Sequence, residues 1–460
     1  MKRTALLISI AVIALSGGGV AGAHAYTTGV FSRLSLSSFE TKPLETASAA
    51  QALTEKNSGP KNLPKLGNIR EAEFTPEKDG KDIRINLETM ELSMYEDGEL
   101  IETLPVISKG KPGSYWQTPG GEYHVLSKNE RFYSQIGHVY MPYSMQIFGN
   151  YFLHGWPVYE NGNPVPPGYS GGCIRLNTAD AERVYRWADT KTRISIYSDR
   201  ESVPSQVVNA YYIQDPHAPL SVTARSYLVG DLESGDIILG KNTNDIRAIA
   251  SITKLVTALT SLDIINQEAT TSISARAVEA ADTRGDLAVG EQIKNGDLLY
   301  PLLMESSNDA AEALSEVKGR DLFIDTMNER AKAIGLENSS FTDPSGIGDH
   351  NLSTAEDLFK LARYITKNKP YLWTVTEKDE ISKSGHTWHN IGKFYKLPGF
   401  VGGKMGYTIE AGPTELLVFD VNVSDFQKRK IVIVLLDTKH RERDVKNLLE
   451  YFQKQVFWGT

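Results

Sequence analysis

Cysteine is nearly absent: Cys173 is the single one in 460 residues. No internal disulfide can form, and no cysteine cluster is available to hold a structural zinc. Positive charge is not in excess, since 49 Lys and Arg stand against 57 Asp and Glu for a formal net charge of −8. That balance lacks the basic face by which nucleic acid is gripped, so nucleic acid is not an expected partner. Internal repeats are missing as well, which sets aside a solenoid. What remains is 40% hydrophobic and 23% charged residues, the make-up of a globular protein. The length suggests two domains.

The chain opens with Met1-Lys2-Arg3-Thr4, an apolar run from Ala5 to Leu15, and then Ser16-Gly17-Gly18-Gly19. Ala23-His24-Ala25 follows as a small-x-small cleavage site. Residues 1–25 therefore read as a signal peptide, with an uncleaved anchor as the alternative. Either way the protein is expected to be exported to the cell envelope, with membrane contact confined to that segment. A lone thiol outside the cytosol is open to oxidation. Its bland explanation is a buried small hydrophobe, and its neighbours argue against that.

Residues 26–80 are rich in Ser, Thr, Ala, Lys and Pro without periodicity and read as a flexible tether. From Asp82 the pattern turns to short strands: Ile83, Ile85 and Leu87 alternate, Leu92 to Tyr95 follow, and Asp97-Gly98 turns into Ile101 to Ile107. A helix from Thr178 and a strand from Arg193 to Tyr197 close a β-rich domain over 81–199. Residues 200–221, with Pro204, Pro216 and Pro219, read as a linker. Residues 222–460 predict an α+β domain. Its strands lie at Tyr227 to Leu232, Asp236 to Leu239, Glu415 to Val421 and Ile431 to Leu436. Helices fill the middle, and Arg443 to Phe457 closes the chain as an amphipathic helix.

Two constellations carry chemistry. In the first, Phe152-Leu153-His154-Gly155-Trp156 precedes Ser170-Gly171-Gly172-Cys173-Ile174-Arg175. Glycines before the cysteine allow a sharp turn that presents the sulfur, with the Gly172 and Cys173 N–H groups facing a developing oxyanion. His154, ending an apolar strand, is placed to lower the thiol pKa and take its proton, and Arg175 adds a fixed cation. Scattered histidines and one cysteine give no metal cluster. A sortase would use the same residue types, but its histidine lies much farther upstream. His124, His138 and Trp156 read as packing or pocket-wall residues. The segment 82–198 resembles the catalytic domain of the L,D-transpeptidases, also through Gly110-Lys111-Pro112-Gly113 and Thr118-Pro119-Gly120-Gly121. The resemblance implies Cys173 as nucleophile, His154 as proton donor and acceptor, and Ser170, Gly172 and Arg175 as pocket residues. Gly171 departs from the family, which often has a second histidine there.

In the second, Ser251-Ile252-Thr253-Lys254 opens a helix, and positions i and i+3 share a face, so the lysine amine can sit by the serine hydroxyl. Ser-x-x-Lys alone is common on helices. Ser306-Ser307-Asn308 and Lys404-Met405-Gly406 complete an ordered triplet, which is that of penicillin-binding proteins and serine β-lactamases. Residues 222–440 resemble the low-molecular-weight D-alanyl-D-alanine carboxypeptidases, with Asp343-Pro344-Ser345-Gly346 fitting a downstream loop. The resemblance implies Ser251 as the acylated nucleophile and Lys254 as its base. Ser306 and Asn308 would relay protons and hold the substrate amide, and Lys404 would favour the terminal carboxylate, with Gly406 lining the same pocket. The family's third motif is usually Lys-Thr-Gly. Met405 cannot make the threonine's hydrogen bond, and Thr408 is the candidate to compensate.

The two resemblances together imply peptidoglycan remodelling, with stem peptides as partners, β-lactams as acylating inhibitors, and neither metal nor cofactor. A serine D,D-carboxypeptidase would trim pentapeptide stems to tetrapeptides, and a cysteine L,D-transpeptidase would cross-link them. The rivals are an impaired second domain that only grips stems, a D,D-endopeptidase, and a β-lactamase, for which no glutamate stands out as deacylating base.

Overall fold

In the computed structural model, residue 76 and residues 78–197, 210–215, 217–280, 284–424 and 427–459 are described. The signal peptide expected at 1–25, most of the tether and residues 200–209 of the linker lie outside them.

Alternating apolar residues in short runs give two sheets in the first half of the chain. Strands β1 (Lys81–Asn86), β2 (Glu91–Glu96), β3 (Glu99–Pro105) and β4 (Gly121–His124) come first, then β5 (Ser127–Ser134) and β6 (Val139–Phe148). They are followed by β7 (Tyr151–His154), β8 (Val158–Tyr159), β9 (Ile174–Arg175), helix α1 (Thr178–Trp187) and β10 (Arg193–Tyr197). One sheet runs β3-β2-β1-β10-β4 and the other β5-β6-β7-β9, with β8 on β6. Ile83, Ile85, Met145, Leu153, Ile174 and Ile194 fill the core between them. Asn177 caps α1 by accepting the Asp180 N–H. The β5–β6 hairpin was not apparent in the sequence because Arg131, Tyr133, Tyr140 and Tyr143 blur its apolar alternation.

The second half places strands at both ends of one sheet, as its pattern predicts. Strands β11 (Ala210–Ile213), β12 (Ser226–Asp231) and β13 (Ile237–Lys241) precede helices α2 (Thr253–Ile264), α3 (Asn308–Glu316), α4 (Arg320–Ala333), α5 (Ala355–Asn368) and α6 (Tyr371–Thr376). Strands β14 (Phe400–Thr408), β15 (Gly412–Ser424) and β16 (Gln427–Leu436), helix α7 (Arg441–Gln455) and β17 (Val456–Gly459) complete it. The sheet order is β13-β12-β16-β15-β14. The stretch read as linker contains β11, which pairs with β17, so the closing helix stops at Gln455 and the chain finishes as a strand. Helix α2 is buried along its whole length, its polar residues included, so it has neighbours on every side.

All described residues fall in one compact unit, Ser58–Thr460, and the two halves are joined by buried polar contacts. Arg330 on α4 pairs with Asp263 at the end of α2, Nε to Oδ2 2.7 Å, and also donates to the Tyr123 hydroxyl of β4 at 2.7 Å. The Arg330 and Asp263 side chains are 0% and 1% exposed. The Gly120 N–H reaches Asn368 Oδ1 at 3.1 Å, and Gln117 reaches the Lys367 carbonyl at 2.7 Å.

Candidate active sites

Strands β7 and β9 run parallel, with Leu153 beside Ile174 and His154 beside Arg175. Leu153 and Ile174 face the core, so period-two alternation leaves Phe152, His154 and Arg175 on the opposite face. Cys173 packs on that face with Val139, Met141 and Phe152. The expected pair thus shares one sheet surface. Gly172 has φ 106°, a conformation only glycine adopts readily, and it turns the chain into the cysteine.

The electrostatics differ from the expectation. Burial drives the His154 imidazole down to about 4, and Arg175 adds to the effect. His154 Nδ1 lies 2.6 Å from the Gly155 carbonyl, which assigns the proton to Nδ1 and leaves Nε2 as acceptor. Burial pushes the Cys173 thiol up, opposed by the Phe152 backbone N–H and Arg175. The thiol donates to the Asn150 carbonyl at 3.7 Å. The resting pair is therefore a neutral thiol and a neutral imidazole, not a thiolate lowered in advance.

Two further assignments change. Ser170 Oγ accepts the Gly172 N–H at 3.1 Å and donates to the Cys173 carbonyl at 2.5 Å. Ser170 thus closes the turn, and the Gly172 N–H expected at the oxyanion is already engaged. The Arg175 guanidinium lies over the Trp156 ring at 5.6 Å, and its buried Nε has no hydrogen-bond partner among the described residues. A buried unpaired donor of this kind calls for an acceptor. His138 interacts with Tyr133, 3.4 Å from its hydroxyl, and Trp156 donates to the Val165 carbonyl.

The serine site is assembled at the entry to α2. Ala250, at φ 50°, and Ser306, at φ 61°, hold left-handed backbone that non-glycine residues rarely adopt. Both sit within a motif, where strain is commonly stored. The Lys254 Nζ, fully buried, lies 3.0 Å from Ser251 Oγ, 2.7 Å from Asn308 Oδ1 and 2.5 Å from the Ser345 carbonyl. Lys404 Nζ lies 2.9 Å from Ser306 Oγ and 2.7 Å from the Met405 carbonyl. Burial lowers Lys404 far below the usual lysine range, and the nearby Lys254 amine adds to it. Gly406 lets β14 approach the nucleophile, since a Cβ there would stand 2.8 Å from Ser251 N. All three motifs and the Asp343–Gly346 loop therefore converge on one hydroxyl.

Thr408 lies at the hairpin end of β14, where its Oγ1 accepts the Ala411 N–H at 3.1 Å. Glu415 and Arg441 were not anticipated. Glu415 stands opposite Met405 across the β14–β15 ladder and is fully buried. Burial pushes its carboxyl up to about 8, against the pull of Arg441 and Lys404. Arg441 pairs with it at 3.0 Å and donates to the Gly406 carbonyl at 3.3 Å. An acid next to the apolar run Leu416-Leu417-Val418 is a readable signal for Glu415; Arg441, on a charged helix face, gives none. Among the described residues, no group of three or more His, Cys, Asp or Glu is placed to hold a metal, and no helix is long and apolar enough to cross a membrane.

A serine and a buried lysine on the first long helix of a strand-flanked helical domain, with Ser-x-Asn and Lys-x-Gly around them, define the penicillin-binding class of serine acyl-transfer domain. Residues 213–439 match the D-alanyl-D-alanine carboxypeptidase family, and residues 80–196 match the L,D-transpeptidase catalytic domain. The carboxypeptidase DacB2 of Mycobacterium tuberculosis is 30% identical over 204 residues, 42% of this chain and 68% of that protein. The D-alanyl-D-alanine endopeptidase of Pseudomonas aeruginosa is 34% identical over 167 residues, 34% of this chain and 52% of that one, so the chain spans about half its length. A solved D-alanyl-D-alanine carboxypeptidase of Mycobacterium tuberculosis H37Rv aligns at TM-score 0.47 and 27% identity, covering 51% of this chain and 92% of that one. The chain belongs to the D-alanyl-D-alanine carboxypeptidase family and carries an L,D-transpeptidase domain ahead of it.

Proposed function

We propose that this chain acts twice on peptidoglycan stem peptides in the cell envelope. Ser251 Oγ attacks the carbonyl of the penultimate D-Ala of a pentapeptide and passes its proton to Lys254. Terminal D-Ala leaves, and water hydrolyses the ester to a tetrapeptide. Cys173 then attacks that tetrapeptide one residue earlier, with His154 Nε2 taking the thiol proton. The last D-Ala leaves, and an amine of a neighbouring stem resolves the thioester as a cross-link. Arg175 Nε offers the tetrapeptide a donor, while Lys404 and Arg441 favour the pentapeptide's terminal carboxylate.

The observation that carries this reading is the Lys254 amine at 3.0 Å from Ser251 Oγ, with a second nucleophile and base on one sheet face of the same chain. The product of the serine reaction is the acyl donor of the cysteine reaction, and tethering raises its local concentration. Pentapeptide muropeptides supplied to the full chain should yield tetrapeptide first and cross-linked product later. Cross-links forming undiminished from pentapeptide alone in Ser251→Ala would refute the relay.

Met405 favours a second reading, in which the serine site acts as a D,D-endopeptidase. Cross-linked dimers and pentapeptide monomers offered together decide between them. Preferential release of terminal D-Ala supports the carboxypeptidase, and preferential dimer cleavage supports the endopeptidase.

A further inference from the structure

Lys369, just beyond α5, belongs to the serine half of the chain, yet its fully buried Nζ is directed at the cysteine half. It donates to the Tyr115 carbonyl at 3.1 Å, to the Gln117 carbonyl, and to the Tyr151 hydroxyl at 3.2 Å. The Tyr151 ring and the loop that carries the two carbonyls both pack on Gly172, the residue before Cys173. A Cβ added at Gly172 would stand 2.4 Å from Tyr151 Cε1 and 3.3 Å from the carbonyl oxygen of Trp116, which lies between Tyr115 and Gln117. Thr118 Oγ1, next along the same loop, donates to the Gly172 carbonyl at 2.9 Å and accepts the Gly110 N–H at 2.8 Å. The Tyr151 hydroxyl in turn donates to the Leu262 carbonyl of α2 at 3.1 Å.

We propose that Lys369 is a positioning residue for the Cys173 site, so that the carboxypeptidase-like half supplies part of the frame of the transpeptidase centre. The inference rests on Cys173 being the nucleophile. Desolvating an ammonium without a paired carboxylate is unfavourable. Asp263, the acid nearest by charge, is already paired to Arg330, and burial lowers Lys369 to about 7. Backbone carbonyls and a phenol accept its N–H groups, and those partners fix loop 115–118 and the Tyr151 ring together. Gly172 and Cys173 are thereby set for attack geometry, in which small displacements are expensive.

The test uses the full chain. A carbapenem acylates Cys173 in a Ser251→Ala background, and intact mass follows the thioester. Iodoacetamide alkylation of Cys173 reports the bare reactivity of the thiol, and penicillin acylation of Ser251 is followed in the chain that keeps that serine. Lys369→Met should slow carbapenem acylation about ten-fold or more, with alkylation and Ser251 acylation within about two-fold. Lys369→Arg, which keeps the donors, should restore most of the rate. If Lys369→Met leaves the acylation rate intact, or lowers both nucleophiles in step, the proposal fails. Should that variant not fold, Tyr151→Phe removes only the shared hydroxyl and must show the same contrast in smaller measure, or the proposal fails. Absence of any Cys173 adduct in the Ser251→Ala background would overturn the nucleophile assignment itself.

Discussion

Cys173 and Asp263, from opposite halves of the chain, hold the two ends of one residue's backbone. The Asn150 carbonyl accepts from the Cys173 thiol at 3.7 Å, while the Asn150 N–H donates to the Asp263 carbonyl at 3.0 Å. The preceding residue makes the approach possible, since Gly149, at φ 50°, would carry a Cβ 2.6 Å from that same carbonyl. Asp263 closes the helix that Ser251 and Lys254 open. A helix of 12 residues thus reaches about 18 Å from one nucleophile to the turn beside the other.

The buried Arg330–Asp263 pair should dominate the stability of this contact. Removing one partner of a fully buried ion pair strands the other, which costs about 3–5 kcal/mol. Arg330→Met is expected to lower the thermal midpoint by several degrees or more, and Arg330→Met with Asp263→Leu should recover most of it. Equal melting of the single and double variants would mean that the carboxylate is not stranded.

On the carboxypeptidase reading, Met405→Thr would supply the hydroxyl that a Lys-Thr-Gly motif offers the substrate's terminal carboxylate. One hydrogen bond to a charged group contributes about 1.5–3 kcal/mol, roughly 10- to 100-fold in rate. D-Ala release from pentapeptide should therefore rise about ten-fold or more. An unchanged rate would indicate that Lys404 and Arg441 already satisfy the carboxylate, or that the natural leaving group carries none.

Both candidate nucleophiles and their candidate bases stood out in the sequence because each lies within a few residues of a glycine turn or one helical step of its partner. Strand positions were also legible where apolar residues alternate, as at Ile83 and Ile85. The protonation states were not. They depend on burial, which the spacing of His154 and Cys173 does not encode. Ser170 was assigned to the pocket by the resemblance to the L,D-transpeptidases; its hydroxyl binds the Gly172 N–H and the Cys173 carbonyl. Lys369 was illegible for a different reason. Its partners lie some 250 residues away in sequence, and a lysine next to Pro370 at a helix end reads locally as an exposed cap.

His154 gives an acid dependence with a defined sign. Its folded value of about 4 lies below the ordinary 6.5, so between these values the unfolded chain binds more protons than the folded one. Stability should then fall as pH is lowered through that window, by no more than ~3.5 kcal/mol from this group. The same protonation removes the acceptor on Nε2, so Cys173 acylation should fall as pH approaches 4. His154→Gln should flatten the stability profile between these values and abolish acylation at all of them. A wild-type acylation rate that halves already near pH 6.5 would show that the imidazole titrates as if exposed.

Gly171→His tests the departure in the cysteine motif. The position is exposed, and a Cβ there meets only Trp116 Cε3, at 3.9 Å. Its φ lies outside the left-handed region, so a side chain fits without strain. With the Gly172 N–H engaged by Ser170, the turn is short of donors for a developing oxyanion. Removing one established oxyanion donor lowers rates by about 10²–10³-fold, so an added and unoptimised one should raise Cys173 acylation roughly 3- to 10-fold. Rescue of the same size by Gly171→Ala would trace the gain to a stiffer backbone instead, because alanine restricts the turn but offers no proton.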